Sequence, residues 1–483
     1  MGKKTNEISP ISNSGNDIIS DKDGHLYVTG NYGDSLILGS IKLAGGTGSF
    51  IAKFDANGNA LWAVNACTYG AITPSVVNIS PDGYLYVTGR YYDSAVIAGG
   101  QIVDTTSGAI HGFLAKYDST GTAIWAKGIP FSSGDPKGLA FDDSANVFVN
   151  YHNAEKFSSG GTLLWSRYFT DTTSIYGPLA EHNNSGVAVD AAGNVYTSGF
   201  GQIIGKRNNR GDSLWLKRTA NIQAVTAIDG DSGYIYVSGS FQDSANFQSN
   251  TLMALHGGQF NLNMYIAKYD SNGNNVWAKR AGCGVGSAYP EIRSMCRSLG
   301  NNIIICGSFA DSAYFDSETL YGSGPFVAEY DAGGSLLWAK VATYYGGGHS
   351  RGVTSDTGSN VYIVGDIFST IHFDTISLDG GSGDLFIARL SPTSTSVSAR
   401  GSGKSPISTW PNPADQWLTV KTNQVQYSQL GLYDALGRLV FGAPVQKRQF
   451  VKTINIGNVA TGIYYLRLTG TEGSETQKVI IRR

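Results

Sequence analysis

The chain has 483 residues, a formal net charge of −2 at pH 7 and only 15% charged residues, against roughly 25% in typical globular chains. It has no long basic run and no apolar stretch approaching the roughly 18 residues of a membrane-spanning helix. These features disfavour nucleic acid binding and a membrane span, while 63 glycines favour many strands joined by tight turns.

The first 15 residues carry lysines but no apolar segment behind them, so they do not form a secretory signal peptide. We therefore expect either a cytoplasmic protein or a form that lacks its leader peptide. The same segment could also supply a strand to the repeat array that follows it.

One phrase recurs along the chain and predicts a repeat architecture. It is complete four times, degraded twice and truncated once, at 50–63, 113–126, 265–278, 326–339, 155–166, 205–216 and 386–392. Each copy follows a segment like GYLYVTG and a shorter apolar segment, and their alternation predicts four strands per unit. Seven such units in residues 16–391 predict an all-β fold with a seven-bladed β-propeller.

The turn inside the phrase keeps the spacing Asp-x-x-Gly-x-x-x-Trp, as in Asp55, Gly58 and Trp62. Six of the eight tryptophans occupy this one position. We expect each of them to wedge between neighbouring sheets. Ser158 and Asn208 replace the Asp in the degraded copies, and their side-chain oxygens can still accept a turn N–H.

This pattern resembles the SBBP family of seven-bladed propeller repeats, through VYVTGxF, FIAKYDxNGNxLW and the Gly-rich segment between units. The resemblance implies the fold and, usually, an extracytoplasmic bacterial protein, but no reaction. Five units carry an added hairpin between their second and third strands. The seventh unit lacks a fourth strand, which either the N-terminal segment around 5–11 or residues 394–399 should supply, because an open edge invites aggregation.

A Ser/Thr/Gly-rich linker at 392–406 precedes short alternating strands with Gly turns at 407–483, which predict a small Ig-like β-sandwich. This segment resembles the type A C-terminal sorting domain of the type IX secretion system in Bacteroidetes. The blocks that carry the resemblance are WPNPA (410–414), LYDALG (432–437), TGIYY (461–465) and a basic end at 478–483. The resemblance implies export to the cell surface or medium by the type IX machinery. The alternative is an ordinary accessory domain.

The sequence lacks the motifs that are typical of metal sites and of catalytic nucleophiles. The four cysteines form no Cys-x-x-Cys pair, the seven histidines fall at unrelated repeat positions, and no His-x-x-x-His or Gly-x-Ser-x-Gly motif occurs. The turns at 55–59 and 270–274 lack the final Glu of a calcium loop. We expect no metal, cofactor or catalytic residue, although carboxylates could still meet in three dimensions.

Cys296 and Cys306 flank a predicted hairpin turn at 299–301. Their spacing leaves a cross-strand disulfide and two buried free thiols both open.

The segments that join consecutive units should gather on one face, around the central channel. Aromatic side chains occur in five of these six segments. Such rings suit sugar or peptide binding, unless they plug the channel and pack the loops. The candidate ligand-binding residues are Tyr69, Phe131, Tyr176, Tyr289, Tyr344, Tyr345, His349 and Arg351.

We therefore expect a secreted or surface-displayed monomer that binds a glycan or a partner protein without catalysis. One alternative is a polysaccharide-active hydrolase or lyase, with acidic side chains converging in the channel. A second alternative is a purely structural surface module.

Overall fold

A computed structural model defines the fold of the chain as two compact units, Met1–Ser394 and Thr395–Arg483. The described residues contain strands and turns but no helix. The structure describes residues 2–4, 13–44, 46–97, 100–103, 110–129, 136–150, 153–168, 186–199, 203–231, 233–248, 250–254, 262–283, 290–298, 300–310, 312–316, 318–342, 347–373, 376–378, 380, 383–390, 407–411, 413–422, 427–434, 438–445, 451–470 and 473–482.

The N-terminal strand is followed in chain order by the strands of the first five repeat units. They are β1 (Gly2–Lys4), β2 (Ser14–Ser20), β3 (Leu26–Tyr32), β4 (Ser35–Leu38), β5 (Ile41–Ala44), β6 (Gly48–Phe54), β7 (Ala60–Asn65), β8 (Tyr69–Ile79), β9 (Leu85–Ile97), β10 (Gly100–Val103), β11 (Ile110–Tyr117), β12 (Ala123–Ile129), β13 (Gly138–Phe141), β14 (Val147–Asn150), β15 (Asn153–Phe157), β16 (Leu163–Tyr168), β17 (Val187–Val189), β18 (Val195–Gly199), β19 (Ile203–Arg207), β20 (Ser213–Arg218), β21 (Ala220–Asp231), β22 (Tyr234–Phe247), β23 (Asn250–Met253), β24 (Leu262–Asp270) and β25 (Asn275–Cys283).

The remaining strands complete the repeat array and build the C-terminal unit. They are β26 (Glu291–Arg297), β27 (Ile303–Phe309), β28 (Ser312–Phe315), β29 (Glu318–Tyr321), β30 (Gly324–Tyr330), β31 (Leu336–Val341), β32 (Gly348–Ser355), β33 (Val361–Ile367), β34 (Ile371–Phe373), β35 (Ile376–Leu378), β36 (Asp384–Leu390), β37 (Ile407–Trp410), β38 (Trp417–Thr422), β39 (Tyr427–Tyr433), β40 (Leu439–Pro444), β41 (Val451–Asn455), β42 (Gly462–Gly470) and β43 (Gly473–Ile481).

The larger compact unit, Met1–Ser394, is built from antiparallel sheets of four main strands each. In all but the last sheet, these strands follow one another in space as they do in sequence. In the described residues the sheets are sheet I (β2-β3-β6-β7), sheet II (β8-β9-β11-β12), sheet III (β13-β14-β15-β16), sheet IV (β17-β18-β19-β20), sheet V (β21-β22-β24-β25), sheet VI (β26-β27-β30-β31) and sheet VII (β32-β33-β36-β1). The first strand of each sheet packs against the first strand of the next, and β32 packs against β2. The sheets therefore form a closed ring, which is the arrangement of a β-propeller.

The N-terminal segment provides the fourth strand of sheet VII. Gly2 pairs with Ala388 and Lys4 with Phe386, so β1 covers the edge of β36. This strand begins before the region around 5–11 that the sequence suggested, and residues 5–12 and 394–399 lie outside the described residues. Because the two ends of the array share one sheet, the last repeat is completed by the start of the chain.

The added hairpins lie between the second and third strands of five sheets, as predicted. They are β4-β5, the end of β9 with β10, the end of β22 with β23, β28-β29 and β34-β35. The residue two places after the Gly of each second strand is buried against the core; these residues are Tyr32, Tyr91, Phe241, Phe309 and Ile367.

The repeated tryptophans bind the turn of the following sheet. Trp62 Nε1 donates to the carbonyl of Ser119, 3.1 Å away, and a Cβ added to Gly121 would lie 2.8 Å from the Trp62 ring. The same Trp–turn contact joins Trp165 to Asn209 at 3.0 Å, Trp215 to Ser271 at 3.0 Å and Trp277 to Ala332 at 3.3 Å. The Gly of each turn thus accepts a positive φ and also leaves room for an indole.

The basic residue of the repeated phrase donates a hydrogen bond to the same turn carbonyls. Lys268 Nζ donates to Ala332 at 3.1 Å and Lys206 Nζ to Ser271 at 3.3 Å. Arg389 occupies this position in sheet VII and donates to Ala56 of sheet I at 3.3 Å. The series of contacts therefore continues across the junction between the last and the first sheet.

Sheet VI departs from this pattern because sheet VII has no turn between its third and fourth strands. Glu329 replaces the Lys, and Trp338 Nε1 donates to its Oε2 at 2.6 Å rather than to a following turn. Glu329 also accepts from Ser298 and Asn302, at 3.0 and 2.9 Å. Ser298 occupies the turn position at which Asp142 of sheet III forms an ion pair with a Lys. In sheet VI the carboxylate therefore belongs to Glu329 on the third strand.

The suggested disulfide between Cys296 and Cys306 is absent, since both are free thiols. The register places Cys306 opposite Ser294 and Cys296 opposite Ile304. The two cysteines are thus offset along the hairpin and do not face each other, as a cross-strand bond would require.

The C-terminal unit consists of two sheets around one apolar core. The sheets are β37-β38-β41 and β40-β39-β42-β43. Leu418, Leu432, Leu466 and Ile481 are each fully buried in that core. This is a β-sandwich, and its Ig-like topology remains a prediction.

We predict that Gly121→Ala destabilises the chain more than Gly83→Ala. Both glycines have a left-handed φ, +84° and +85°, so both variants share the backbone cost of about 1–2 kcal/mol. A Cβ at Gly121 clashes with Trp62, whereas one at Gly83 meets no atom within 4 Å. Urea denaturation should show an extra loss of about 1–3 kcal/mol for Gly121→Ala. Equal losses would contradict the importance of the Trp–turn contact.

Candidate functional site

The first strands of the sheets surround a central channel of about 920 Å³. Much of the polar lining of the channel comes from one position of the repeat. In each sheet, this position lies five residues before the first residue of the turn that joins the first and second strands. The lining residues at that position are Asn16, Ser75, Lys137, Arg293 and Arg351. This position lines the channel and differs from sheet to sheet, and in sheet I Asn16 Nδ2 also donates to the Pro74 carbonyl of sheet II at 2.6 Å.

Four cationic side chains on four different sheets line the channel. Lys137, Arg293 and Arg351 come from the repeat position just described, and Arg90 comes from the second strand of sheet II, opposite Thr73. The acidic lining residues in the described part of the chain are Asp17 and Glu291.

Arg351 and His349, two of the predicted residues, meet at one buried carboxylate. Arg351 Nε donates to Asp366 Oδ1, and His349 Nδ1 lies 3.2 Å from Asp366 Oδ2. Burial opposes ionisation of Asp366, but the hydrogen bonds and charges of His349 and Arg351 prevail and hold its pKa below the usual range. Asp366 therefore orients both side chains at the channel wall.

Sequence reasoning missed Asp366, although a signal was present. The residue after the Gly of the second strand is Asn31 in sheet I, Arg90 in sheet II and Asp366 in sheet VII. An alignment of the units would have shown polar residues at one repeat position, two of which, Asn31 and Arg90, line the channel. A second ion pair, between Glu291 and Arg293 on β26, also lines the channel.

Asp17 is the acidic residue of the channel with the most altered titration. Desolvation inside the ring raises its pKa to about 7, against the hydrogen bonds from the Val77 and Ile18 N–H groups and the positive charge of Lys137. The Val77 N–H donates to Oδ2 at 3.0 Å, and a Cβ on Gly352 would lie 2.8 Å from Oδ1. Gly352 thus makes room for this carboxyl group, which sequence reasoning also missed.

The other predicted ligand-binding residues are not brought together by the described geometry. Phe131, Tyr176, Tyr289, Tyr344 and Tyr345 lie outside the described residues. Tyr69 begins strand β8, and its backbone pairs with Val96. The aromatic rim around the channel therefore remains a prediction.

One cluster of potential metal ligands occurs in the described residues, at Asp21, Asp23 and His25, with ligand atoms within 4.8 Å of one another. Asp21 Oδ1 accepts the N–H groups of Asp23 and His25, at 3.0 and 2.8 Å. The carboxylate thus closes the turn between β2 and β3.

The fold and the site define an exported β-propeller with a polar central channel. Residues 408–482 match the family described as the secretion system C-terminal sorting domain, so the chain carries the signal that directs type IX secretion. No helix among the described residues has the length and apolar character needed to cross a membrane.

One curated protein is similar to this chain at low identity. The uncharacterized WD repeat-containing protein L264 of Acanthamoeba polyphaga mimivirus is 23% identical over 375 residues, which cover 66% of this chain and 26% of that protein. The chain thus spans about a quarter of this relative. The SBBP resemblance remains a prediction.

Two solved structures are similar to this chain at low TM-scores. The C-terminal WD40 domain of Sif2 has a TM-score of 0.41 at 8% identity, covering 80% of this chain and 99% of that one. BamB from Moraxella catarrhalis has a TM-score of 0.38 at 13% identity, covering 79% and 99%.

We predict that Asp17→Asn stabilises the chain more at pH 8 than at pH 5. The pKa of Asp17 rises from 3.8 to about 7 on folding, so its contribution to stability is complete below pH 3.8 and is lost as the pH rises through 7. The variant keeps an acceptor for the Val77 N–H and removes the desolvated charge. Thermal unfolding at both pH values checks this.

Asp23→Asn is the matched control, because it removes the same charge from a side chain that is 61% exposed. A gain for Asp17→Asn that is no larger at pH 8 than at pH 5 would contradict the raised pKa.

Proposed function

We propose that this chain is an exported β-propeller that binds a glycan or a protein in its central channel and catalyses no reaction. The observation that carries the proposal is the channel lining, in which hydrogen-bonding and cationic side chains from several sheets converge. The sorting domain supports delivery of this site to the cell surface or the medium.

The size and chemistry of the channel suit a bound ligand. Its volume of about 920 Å³ falls within the roughly 300–1,000 Å³ of ordinary ligand sites. Asp366 holds Arg351 by its Nε–H, which restricts the guanidinium before a ligand arrives. Such pre-orientation lowers the entropic cost of binding.

Two carboxylates, one in the channel lining and one buried behind Arg351, are engaged in ways that favour binding over catalysis. Glu291 forms an ion pair with Arg293, and Asp366, with its lowered pKa, is held by Arg351 and His349. A hydrolase of the ordinary type needs one carboxyl group that stays protonated and a second that acts as a base or nucleophile.

A polysaccharide hydrolase or lyase is the second candidate, and Asp17 is the observation that favours it. Its pKa of about 7 is the value expected of a general acid or base near neutral pH. This candidate predicts product release that Asp17→Asn abolishes. A purely structural module is the third candidate, and the contacts of Asn16 with Pro74 and of Asn78 with Leu139, which join neighbouring sheets, favour it.

The test is a glycan array and a polysaccharide pull-down with the full chain, with reducing-sugar formation assayed in the same samples. We expect binding without sugar release, and a loss of about tenfold or more in affinity for Arg351→Ala and for Lys137→Ala. Arg438→Ala is the matched control, because its side chain is 74% exposed in the C-terminal unit.

Circular dichroism of each variant separates lost binding from lost folding. Sugar release would overturn the non-catalytic proposal and favour Asp17 as the acid or base. Unchanged binding in both channel variants would overturn the channel as the site.

A further inference from the structure

The charge of the channel differs from that of the whole chain. The chain carries a net charge of −2, yet the channel lining contains four basic residues and two acidic ones. One of these acidic residues, Asp17, has a pKa of about 7, so it carries only part of a charge near neutral pH. Asp366 pairs with Arg351 from behind the lining, so four basic residues stand against three carboxyl groups, and the excess of positive charge is local to the channel.

The cations are distributed in a way that suits a ligand with several separated anionic groups. Arg90, Lys137, Arg293 and Arg351 belong to sheets II, III, VI and VII. A guanidinium carries five N–H donors. Of the donors of Arg351, the Nε–H is the one that the structure shows bound to Asp366. Arg351 can therefore bind a second carboxylate while it keeps its buried partner.

Neutral hydrogen-bonding side chains lie between these cations. Asn31, Thr73, Ser75 and Ser294 line the same channel, and their amides and hydroxyls are suited to sugar hydroxyls. A carboxylated sugar chain presents anionic groups and hydroxyls in alternation. An acidic peptide can also pair its backbone N–H and C=O groups with these side chains, so it is the alternative that the experiment below tests.

On the basis of the proposed function, we infer that the ligand of the channel is an acidic glycan, a carboxylated oligosaccharide of the uronic acid type. The cations of four sheets bind its carboxylates, and the amide and hydroxyl side chains between them bind its ring hydroxyls. Arg351 and Arg293 are held in place for this by Asp366 and Glu291.

The experiment compares an oligogalacturonate with its methyl ester, which has the same sugar backbone without the charges. Isothermal titration with the full chain should give affinity for the acid at least about tenfold higher than for the ester. That affinity should fall as salt rises from about 0.05 to about 0.5 M, because screening weakens the charge interactions.

Lys137→Glu reverses one channel charge on an exposed side chain, and we expect it to weaken binding of the acid at least about tenfold. Lys42→Glu makes the same reversal on an exposed hairpin residue outside the channel lining, and should leave affinity within about twofold.

The outcomes separate this inference from the proposed function. Equal affinity for acid and ester, or binding of a neutral glycan alone, would overturn the acidic ligand and leave glycan binding intact. Binding of poly-glutamate without any glycan would overturn it in favour of an acidic protein partner. Equal loss in Lys137→Glu and Lys42→Glu would overturn the channel location as well.

Discussion

The propeller depends on the contact between the repeated tryptophan of one sheet and the turn of the following sheet, which sheet VI alone replaces with an internal contact. Trp62, for example, covers Gly121 and donates to the carbonyl of Ser119, so one side chain fixes both the spacing and the order of two sheets. Removing a fully buried indole costs roughly 3–5 kcal/mol; most of these tryptophans are half-buried and contribute less each, but the contact recurs around the ring. Where the series must end, Glu329 accepts from Trp338 and Arg389 reaches Ala56 of sheet I. The ring therefore closes without a seventh tryptophan.

Because these contacts hold the periphery together, the inner strands are free to vary. The turn positions keep a few residue types in nearly every unit, whereas the channel position five residues before the turn is Asn16, Ser75, Lys137, Arg293 or Arg351. Variation at a position that faces a shared cavity gives the channel a chemical asymmetry that the scaffold lacks. A repeat array can thus present a specific surface while its architecture stays regular.

The sequence was sufficient for features that depend on local pattern, such as the four-stranded units, the five hairpins and the Asp-x-x-Gly turns. It was insufficient for β1, because Gly2–Lys4 has no strand pattern and pairs only because the edge of β36 is open. Asp366 meets His349 through register rather than motif. Asp17 and Lys137 lie far apart in the chain and influence each other electrostatically only in the folded ring, so no local motif could reveal them.

At Asp17 the stability of the fold and the polarity of the channel favour different residues on the same strand. A carboxyl group whose pKa rises to about 7 makes the folded chain less stable once it ionises. A neutral residue at this position, such as Val76 in sheet II, would avoid that cost. Gly352 nevertheless leaves the space that the carboxyl group occupies. The strongly perturbed pKa thus lies among the channel cations, at the place where a binding site is expected to hold such groups.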